Sequence, residues 1–196
     1  MTTFFTSDMH FGHVNILKYT SRPWSDVDQM TKALINNWNE VVDHGDLVII
    51  AGDSVMGIRH KNLPLMKHLH GFTVLFPGNH DHCHPMYAGK HNFAENVKLY
   101  KQYFDDILDA TVPFEYEEFV CSHFPYNYEE ADRIGRDFSE WEPKDEGRIL
   151  LHGHVHKEWQ YALSERGTPM VNVGVDVWNY TPVSIETIRE LILSKR

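Results

Sequence analysis

The sequence predicts an α/β fold, because short apolar runs that suit buried strands alternate with a longer amphipathic stretch. The runs 2–8 and 47–53 are rich in β-branched or aromatic residues, and each ends in an aspartate. Between them, residues 27–42 carry apolar side chains at helical spacing after Ser25 or Asp26, either of which can cap a helix. Strand, helix and strand form a βαβ unit, whose right-handed crossover makes its two strands parallel.

The run 47–53 is the clearest of the predicted strands. It is unbroken and apolar, and it is too short for a helix, which needs about 10–12 residues and a polar face. Asp53 follows Gly52 at the carboxyl end, where ligands bind in α/β sheets. Taken alone, Asp53 also fits a turn residue that accepts backbone hydrogen bonds. Because parallel strands share one carboxyl edge, we expect Asp8 and Asp53 to be neighbours in space.

The rest of the chain continues the alternation of strands and helices. We expect a short helix over 63–69, a strand over 72–76, a helix over 100–108 and the start of a strand at 109–113. Further strands are predicted at 119–123, 149–152 and 170–173, and a last helix after the cap residue Ser184. The polar, charged stretch 126–147 predicts a long surface loop of the kind that is often functional.

Composition and charge narrow the classes of function. A formal net charge of −10 disfavours broad capture of duplex nucleic acid, although bound metal ions can still supply positive charge locally. The chain has no basic start followed by an apolar stretch and no run near the ~20 apolar residues of a membrane span, so we expect a cytoplasmic protein. Cys83 and Cys121 form no zinc-finger spacing or disulfide framework; Cys121 is expected in the core and Cys83 in a loop.

Polar clusters follow five of the predicted strands. In chain order they are Asp8-Met9-His10, Gly52-Asp53, Gly78-Asn79-His80-Asp81, Ser122-His123 and Gly153-His154-Val155-His156. Carboxylate, amide and imidazole groups are ligands of divalent transition metals. In an extended segment, residues two apart point the same way, so Asp8 with His10 and His154 with His156 can each act as a pair. One pair is weak evidence, but five clusters in succession indicate a metal site.

The clusters have the pattern D-x-H, G-D, G-N-H-D, H and G-H-x-H, which resembles that of the calcineurin-like metallophosphoesterase superfamily and runs from residue 8 to 156. The opening 7–16, with Arg22-Pro23-Trp24 and the stretch 172–182, more narrowly resembles the small, uncapped bacterial and phage members. The resemblance implies one domain over residues 1–196. It also implies a four-layer α/β/β/α sandwich of two mixed β-sheets flanked by helices, with a dinuclear centre at the strand ends.

The resemblance assigns metal ligands residue by residue. It places Asp8, His10, Asp53 and His156 on one metal, and Asp53, Asn79, His123 and His154 on the other, so that Asp53 bridges both. Manganese is the first choice for the two divalent ions, with iron and zinc as alternatives. A hydroxide that bridges the metals would attack phosphorus in line. His80 would act as the acid that protonates the leaving oxygen or steadies the transition state.

Residues beside these clusters receive less specific predictions. His13 and Arg22 are candidates for contacting the substrate phosphate, Arg22 because a guanidinium fork matches phosphate oxygens. Arg22 equally fits a loop residue that pairs with surface acids. Asp81 is predicted either to orient His80 or to cap a turn.

Several other aromatic and histidine side chains are predicted to be structural. Alternation along a strand turns His152 away from His154, and Trp178 and Tyr180 either line the pocket or, as we favour, bury the last helix. The histidines predicted to lie at the surface are His44, His60, His68, His70, His82, His84 and His91.

The sequence therefore predicts a dinuclear metal-dependent phosphoesterase that prefers phosphodiesters. Small or cyclic nucleotides, such as 2′,3′-cyclic nucleotides, are the expected substrates; the resemblance supplies the diester preference, and the acidic balance argues against long duplexes. One alternative is a phosphomonoesterase acting on protein or small-molecule phosphates. Another is a catalytically silent scaffold or binding protein of the same fold. No membrane partner is expected, and neither the physiological substrate nor the oligomeric state follows from the sequence.

Overall fold

The computed structural model describes residues 1–127 and 138–195, which form two five-stranded β-sheets with flanking helices. The strands are β1 (Thr3–Thr6), β2 (Leu47–Ile50), β3 (Phe72–Leu75), β4 (Asp106–Ile107), β5 (Phe114–Tyr116), β6 (Phe119–Cys121), β7 (Ile149–His152), β8 (Tyr161–Leu163), β9 (Pro169–Asn172) and β10 (Val183–Ser184). The α-helices are α1 (Ile16–Tyr19), α2 (Val27–Val41), α3 (Arg59–Asn62), α4 (Phe93–Tyr100) and α5 (Ile185–Ser194). Short 3-10 helices cover Leu63–His68, Pro85–Tyr87 and Val175–Val177.

Both sheets are mixed, as the resemblance implied. The first has the order β10-β1-β2-β3-β4, in which β1 to β4 are parallel and β10 is an antiparallel edge. The second has the order β5-β6-β7-β9-β8, with β6, β7 and β9 parallel and β5 and β8 antiparallel. Thr3 pairs with Leu47 and Thr6 with Ile50, so β1 and β2 end side by side, as the βαβ unit predicted.

The alternation of side chains along the strands builds two cores. Phe5 and Ile49 from the first sheet share a buried cluster with Leu151 from the second, which holds the sheets face to face. The neighbouring side chain Val48 points to the opposite face and packs in a second cluster with Trp38 of α2. Burial of both faces of β2 explains why its sequence is apolar throughout rather than alternating.

Two helix starts follow the predicted capping chemistry. Asp26, not Ser25, caps α2: its Oδ1 accepts a hydrogen bond from the Gln29 N–H at 2.8 Å. Ser184 caps α5 by accepting from the Thr187 N–H at 3.1 Å. Each side chain satisfies a main-chain donor that the first turn of a helix leaves free.

The predicted helix over 100–108 is wrong in its position. Helix α4 ends at Tyr100, and the chain then joins the first sheet as β4. The Asp105 N–H donates to the Thr73 carbonyl at 3.0 Å, and its carboxylate accepts from the Thr73 N–H at 2.7 Å. This docking onto β3 outweighs the helical spacing of the apolar residues. The strand expected at 109–113 starts later, at Phe114.

The predicted short helix over 63–69 is the 3-10 helix Leu63–His68, which directly follows α3. The predicted loop 126–147 lies partly outside the described residues; of its described ends, Tyr126 is buried against the second sheet. Asp145 is buried as well, and accepts hydrogen bonds from the hydroxyls of Ser164 and Thr168. Within the described ranges, no helix combines the length and apolar character needed to cross a membrane.

Candidate metal centre

The carboxyl ends of the parallel strands bring the predicted clusters together. Beyond β1 and β2 the two chains stay paired: the Asp8 N–H donates to the Gly52 carbonyl and the His10 N–H to the Asp53 carbonyl, both at 3.0 Å. The loop after β7 approaches from the second sheet, and the His154 N–H donates to Asp8 Oδ2 at 3.0 Å. Asp8 and Asp53 are therefore neighbours at the junction of the two sheets, as predicted.

The ligand-bearing loops are not extended, which corrects the argument from alternating side chains. Positive φ angles occur at Asp8 (57°), His10 (53°), Asp53 (55°), His154 (71°) and His156 (50°). The side chains converge because the backbone turns through the left-handed region. Such a conformation costs a non-glycine residue about 1–3 kcal/mol and is concentrated at functional sites, where the surrounding structure enforces it.

Glycines allow the ligand loops to approach one another closely. Gly52 has φ 92°, and a Cβ there would lie 2.5 Å from His123 Nδ1. A Cβ at Gly153 would lie 2.5 Å from Asp8 Oδ2. Both positions exclude a side chain, which explains the glycine that precedes each of these ligand clusters.

We refer to Asp8, His10 and His156 as the first group. Their ligand atoms lie within 4.8 Å of one another, and His10 Nε2 is 3.9 Å from Asp8 Oδ1. Among the described residues, Asp8 Oδ1 and both His10 ring nitrogens are buried without a hydrogen-bond partner. Burial holds the pKa of His10 well below its ordinary value, so the ring is neutral and offers a lone pair. Unpaired buried polar atoms are costly, and a bound cation would satisfy the Asp8 oxygen and the lone pair of the His10 ring.

His156, the third member of the first group, is oriented by Asp176. Its Nδ1 donates to Asp176 Oδ2 at 3.0 Å, which leaves Nε2 as the nitrogen available to a metal. Burial would lower the pKa of His156, but this hydrogen bond raises it overall. Burial likewise opposes ionisation of Asp176, yet the hydrogen bonds from His156 and Arg22 hold its pKa at about 2.

We refer to Asp53, Asn79, His123 and His154 as the second group. His123 Nδ1 donates to the Ala51 carbonyl at 2.8 Å, so the lone pair of the neutral ring is on Nε2. That lone pair faces Asn79 Oδ1 at 2.9 Å and Asp53 Oδ2 at 3.6 Å. His154 Nδ1 lies 3.0 Å from the same Asn79 oxygen. Electron-pair donors that converge in this way are suited to a cation.

The two groups meet at two carboxylates. Asp53 Oδ2 lies 3.6 Å from His10 Nε2 and 3.6 Å from His123 Nε2, between the groups. Asp8 belongs to the first group and also lies within 4.8 Å of the ligand atoms of Asp53 and His123. Although burial opposes it, the neighbouring histidines and the hydrogen bond from the His80 N–H hold the pKa of Asp53 well below its usual range. The carboxylate, amide and imidazole donors fit two divalent transition metals.

His80 lies at the mouth of the centre, and Asp81 lies beneath it. The His80 side chain is 29% exposed, and its Nε2 is 4.0 Å from Asp53 Oδ2. Asp81 does not orient His80: its carboxylate accepts from the N–H groups of Asp53, Ser54 and Gly78 at 2.7, 3.2 and 3.0 Å. Of the two predicted roles, the turn-capping role is therefore the one observed. Burial and the charge of Asp53 raise the pKa of Asp81 to about 6.

The two predicted substrate contacts have different positions. His13 is half-buried at the edge of the centre, its ring 5.3 Å from that of His10, and burial lowers its pKa to about 4. Arg22 is buried, with its guanidinium bonded to Asp176 and to the carbonyls of Asp8 and Met9. The predicted contact of Arg22 with substrate phosphate disagrees with this geometry, because its donors are already used inside the protein.

Other predictions for the residues around the centre agree with the structure. His152 is fully buried, its ring 4.6 Å from that of Trp159, and burial lowers its pKa to about 3. Trp178 packs against the cluster between the sheets, and its Nε1 donates to the Asn172 carbonyl at 2.7 Å. Tyr180 packs against the other cluster. Both aromatic side chains contribute to the core, as favoured, but only Trp178 packs in the cluster that includes the last helix.

One predicted surface histidine is in fact buried. His84 is 1% exposed, and its ring packs edge-on against Trp141 with the centroids 4.8 Å apart. Its Nδ1 accepts from the Met86 N–H at 3.0 Å, and burial lowers its pKa to about 4. Cys83 is buried beside it, and Cys121 lies in the core as predicted.

The sequence reasoning missed Asp176 as part of the centre. A signal was present, since the run 170–175, apolar apart from Asn172, is followed by this acid much as the run 47–53 ends in Asp53. Ser7, whose Oγ donates to Asp8 Oδ2 at 2.6 Å, was also missed, and its type and position carry no comparable signal.

Comparison with known sequences identifies the family. The sequence model described as calcineurin-like phosphoesterase matches residues 1–178, so the chain belongs to this family of metal-dependent phosphoester hydrolases. An uncharacterized protein of Methanocaldococcus jannaschii is 31% identical over 190 residues, which cover 95% of this chain and 88% of that protein. The Gene 66 protein of Mycobacterium phage D29 is 31% identical over 195 residues, which cover 96% of this chain and 94% of that protein.

A solved structure confirms the fold. The crystal structure of a protein of unknown function from Aquifex aeolicus superposes with a TM-score of 0.65 at 26% identity. The match covers 97% of this chain and 98% of that one. The prediction of two mixed sheets with flanking helices is therefore confirmed, as is the resemblance to small members of the family.

Proposed function

We propose that the protein is a manganese-dependent phosphodiesterase that hydrolyses small or cyclic nucleotides, including 2′,3′-cyclic nucleotides. The observation that carries this proposal is the arrangement around Asp53, where buried ligand side chains converge below the partly exposed ring of His80. A phosphorus atom brought to the two groups would have His80 as its neighbour on the open side.

The environment of Arg22 supports a preference for diesters. A phosphate monoester is largely dianionic near neutral pH, and an arginine fork is a common partner for such a group. The guanidinium of Arg22 is already engaged with Asp176 and two carbonyls. A diester carries a single negative charge and has less need of that partner. The net charge of −10 supports a small substrate over a long polyanion.

The division of labour at the site follows from the two groups and His80. When bound, two divalent ions would polarise the phosphoryl oxygens and lower the pKa of an attacking water. The His80 N–H donates to Asp53 Oδ1 at 2.8 Å and so holds the Asp53 side chain in its position between the two groups. The His80 ring, in its protonated form, gives the Nε2 proton to the leaving oxygen, which would otherwise depart as a costly alkoxide.

The test is hydrolysis by chelator-treated protein with and without added Mn²⁺. We expect manganese-dependent turnover of bis(4-nitrophenyl) phosphate that exceeds turnover of 4-nitrophenyl phosphate, followed by activity on a panel of 2′,3′- and 3′,5′-cyclic nucleotides. Faster turnover of the monoester would identify a phosphatase instead. No metal-dependent turnover from mildly acidic to alkaline pH would contradict the proposal and favour a binding protein.

His80→Ala tests the proton-transfer step. The variant should keep both metal ions, because the His80 ring belongs to neither group of ligand side chains, and it should lose about 10²–10⁴ in rate on cyclic nucleotides. The loss on 4-nitrophenyl esters should be smaller, because that leaving group needs no proton. His82→Ala is the matched control. The His82 ring is close to His80 in the sequence but stacks on Tyr87, with the ring centroids 4.8 Å apart, and belongs to neither group. Normal turnover of cyclic nucleotides by His80→Ala would refute the acid role.

A further inference from the structure

One buried ion pair, Arg22 with Asp176, connects the loops that carry the first group. Arg22 Nε donates to Asp176 Oδ1 at 2.8 Å, and Nη2 donates to Oδ2 at 2.9 Å. The two side chains are 0% and 2% exposed. A bidentate arginine–carboxylate pair fixes orientation as well as distance. Neither residue belongs to the five sequence clusters.

The carboxylate end of the pair orients His156. Because Asp176 is an acceptor, the proton of the neutral His156 ring is on Nδ1 and the lone pair is on Nε2, which faces the centre beside His10. The His10 and His156 ring centroids are 5.2 Å apart. Without the acceptor, the tautomer and the rotation of the His156 ring would both lose their constraint.

The guanidinium end of the pair holds the loop of Asp8 and His10. Arg22 Nη2 donates to the Asp8 carbonyl at 2.7 Å, and Nη1 donates to the Met9 carbonyl at 2.9 Å. These carbonyls lie between two residues with left-handed backbone, Asp8 and His10. The bonds satisfy buried acceptors and maintain a backbone conformation that is costly by itself.

We propose that Arg22 and Asp176 are positioning residues that set the metal affinity of the first group and leave that of the second group unchanged. The second group has separate support, from the Ala51 carbonyl on His123 and from Asp81 under Asp53. Loss of a partner that orients a metal ligand typically costs 10–100-fold in metal affinity. The inference rests on the dinuclear centre of the proposed function and not on its substrate.

The experiment is a Mn²⁺ titration of chelator-treated protein with two readouts. Calorimetry gives the stoichiometry and affinity, and electron paramagnetic resonance detects the spin-coupled ion pair. Asp176→Asn and Arg22→Lys should each bind one ion normally and the other about 10–100-fold more weakly. The spin-coupled signal should then disappear at the concentration that saturates the wild type. Arg22→Lys keeps the charge, but one ammonium cannot span the carboxylate and both carbonyls.

Two further variants separate positioning from folding. Arg189→Lys is the matched control, since Arg189 also binds two acids, Glu117 and Glu118, at an exposed position; it should bind both ions like the wild type. The double variant Arg22→Met/Asp176→Leu removes both charges together, so that no unpaired charge stays buried. We expect it to show the same selective loss of one ion.

Wild-type affinity for both ions in Asp176→Asn or in the double variant would overturn the inference, and so would equal weakening of both ions in Asp176→Asn. Selective loss of one ion, in a protein whose wild type hydrolyses no phosphodiester, would support the inference and contradict the proposed function.

Discussion

The two groups of the metal centre are supported in different ways. In the first group, His156 and the loop of Asp8 are held by the pair of Arg22 and Asp176. In the second group, support comes from the main chain, through the Ala51 carbonyl on His123, and from a residue inside the G-N-H-D cluster, Asp81. The first group depends on residues outside the five sequence clusters, and the second group is supported by residues within those clusters or next to them.

This difference shows how far a local motif can define a site. Arg22 and Asp176 lie 154 positions apart in the sequence and meet only when the chain after β9 folds onto the loop after α1. Asp81, by contrast, is two residues from Asn79 and accepts from the main chain of its own turn. Changes at these supports should therefore separate the two metal positions.

Asp53→Asn should have the largest effect, because Asp53 Oδ2 is 3.6 Å from the Nε2 atoms of both His10 and His123. Both ions should bind more weakly, and activity should fall by more than the roughly 10–100-fold expected for a residue that only orients a ligand. Manganese titration beside a phosphodiester assay measures both effects, and Asp176→Asn is the comparison that should lose one ion only.

Asp8→Asn sharpens the same prediction. Asp8 also lies within 4.8 Å of ligand atoms in both groups. If Asp8→Asn removed both ions and Asp53→Asn removed only one, the shared ligand would be Asp8 and the predicted bridging role of Asp53 would be wrong.

Gly52→Ala should have the next largest effect and should act on the second group. A Cβ would lie 2.5 Å from His123 Nδ1 and 2.6 Å from Gly78 Cα, and φ is 92°. We expect a loss of about 1–3 kcal/mol or more in the free energy of unfolding, from backbone strain together with overpacking. Gly45→Ala is the control, since nothing lies within 4 Å of a Cβ there. Equal denaturation midpoints for the two variants would contradict the prediction.

Acid should destabilise the protein through its buried histidines at a higher pH than the pH at which it affects the pair of Arg22 and Asp176. Burial lowers the pKa of His84 to about 4 and that of His152 to about 3, and it holds the pKa of His10 in the first group well below its ordinary value. The unfolded state, with a histidine pKa near 6.5, binds more protons below that pH, so stability falls as the pH falls from about 6.5 to 4. The pKa of Asp176 is about 2, so the contribution of its pair with Arg22 persists until the pH falls toward that value.

Urea unfolding of chelator-treated protein between pH 7 and 4 measures this dependence. Each histidine contributes a slope of up to about 1.4 kcal/mol per pH unit. The double variant His84→Gln/His152→Gln should flatten the slope, and His44→Gln, at an exposed position, should leave it unchanged. An unaltered slope in the double variant would show that these two rings do not carry the effect.

Much of the first sheet could be predicted from the sequence. The runs 2–8 and 47–53 and helix α2 have strong local patterns, and their parallel pairing follows from the handedness of the βαβ connection. The region after Tyr100 could not be predicted, because the spacing of Phe104 and Ile107 fits a helix while the bonds of Asp105 to Thr73 make a strand. Three strands of the second sheet were predicted from their patterns, but their grouping into a separate sheet came from the family resemblance.

The site divides in the same way. The chemical types and the order of the seven predicted ligands are visible in the sequence, and the structure brings them together at the strand ends. The left-handed backbone at Asp8 and His10 is not visible there, since aspartate and histidine adopt it only when surrounding contacts enforce it. Arg22 shows a different limit: its residue type fitted phosphate and surface acids equally well, and the structure pairs it with a buried acid, Asp176.

The sequence by itself determined the ligand chemistry, the glycines that let loops approach, and the parallel strands that end at one edge, because each depends on residue type and local spacing. Only the tertiary structure decided which carboxylates lie between the two groups, which nitrogen of His156 faces the metals, and which support holds each half of the centre. Those features depend on contacts between residues far apart in the chain, and such contacts leave no local pattern.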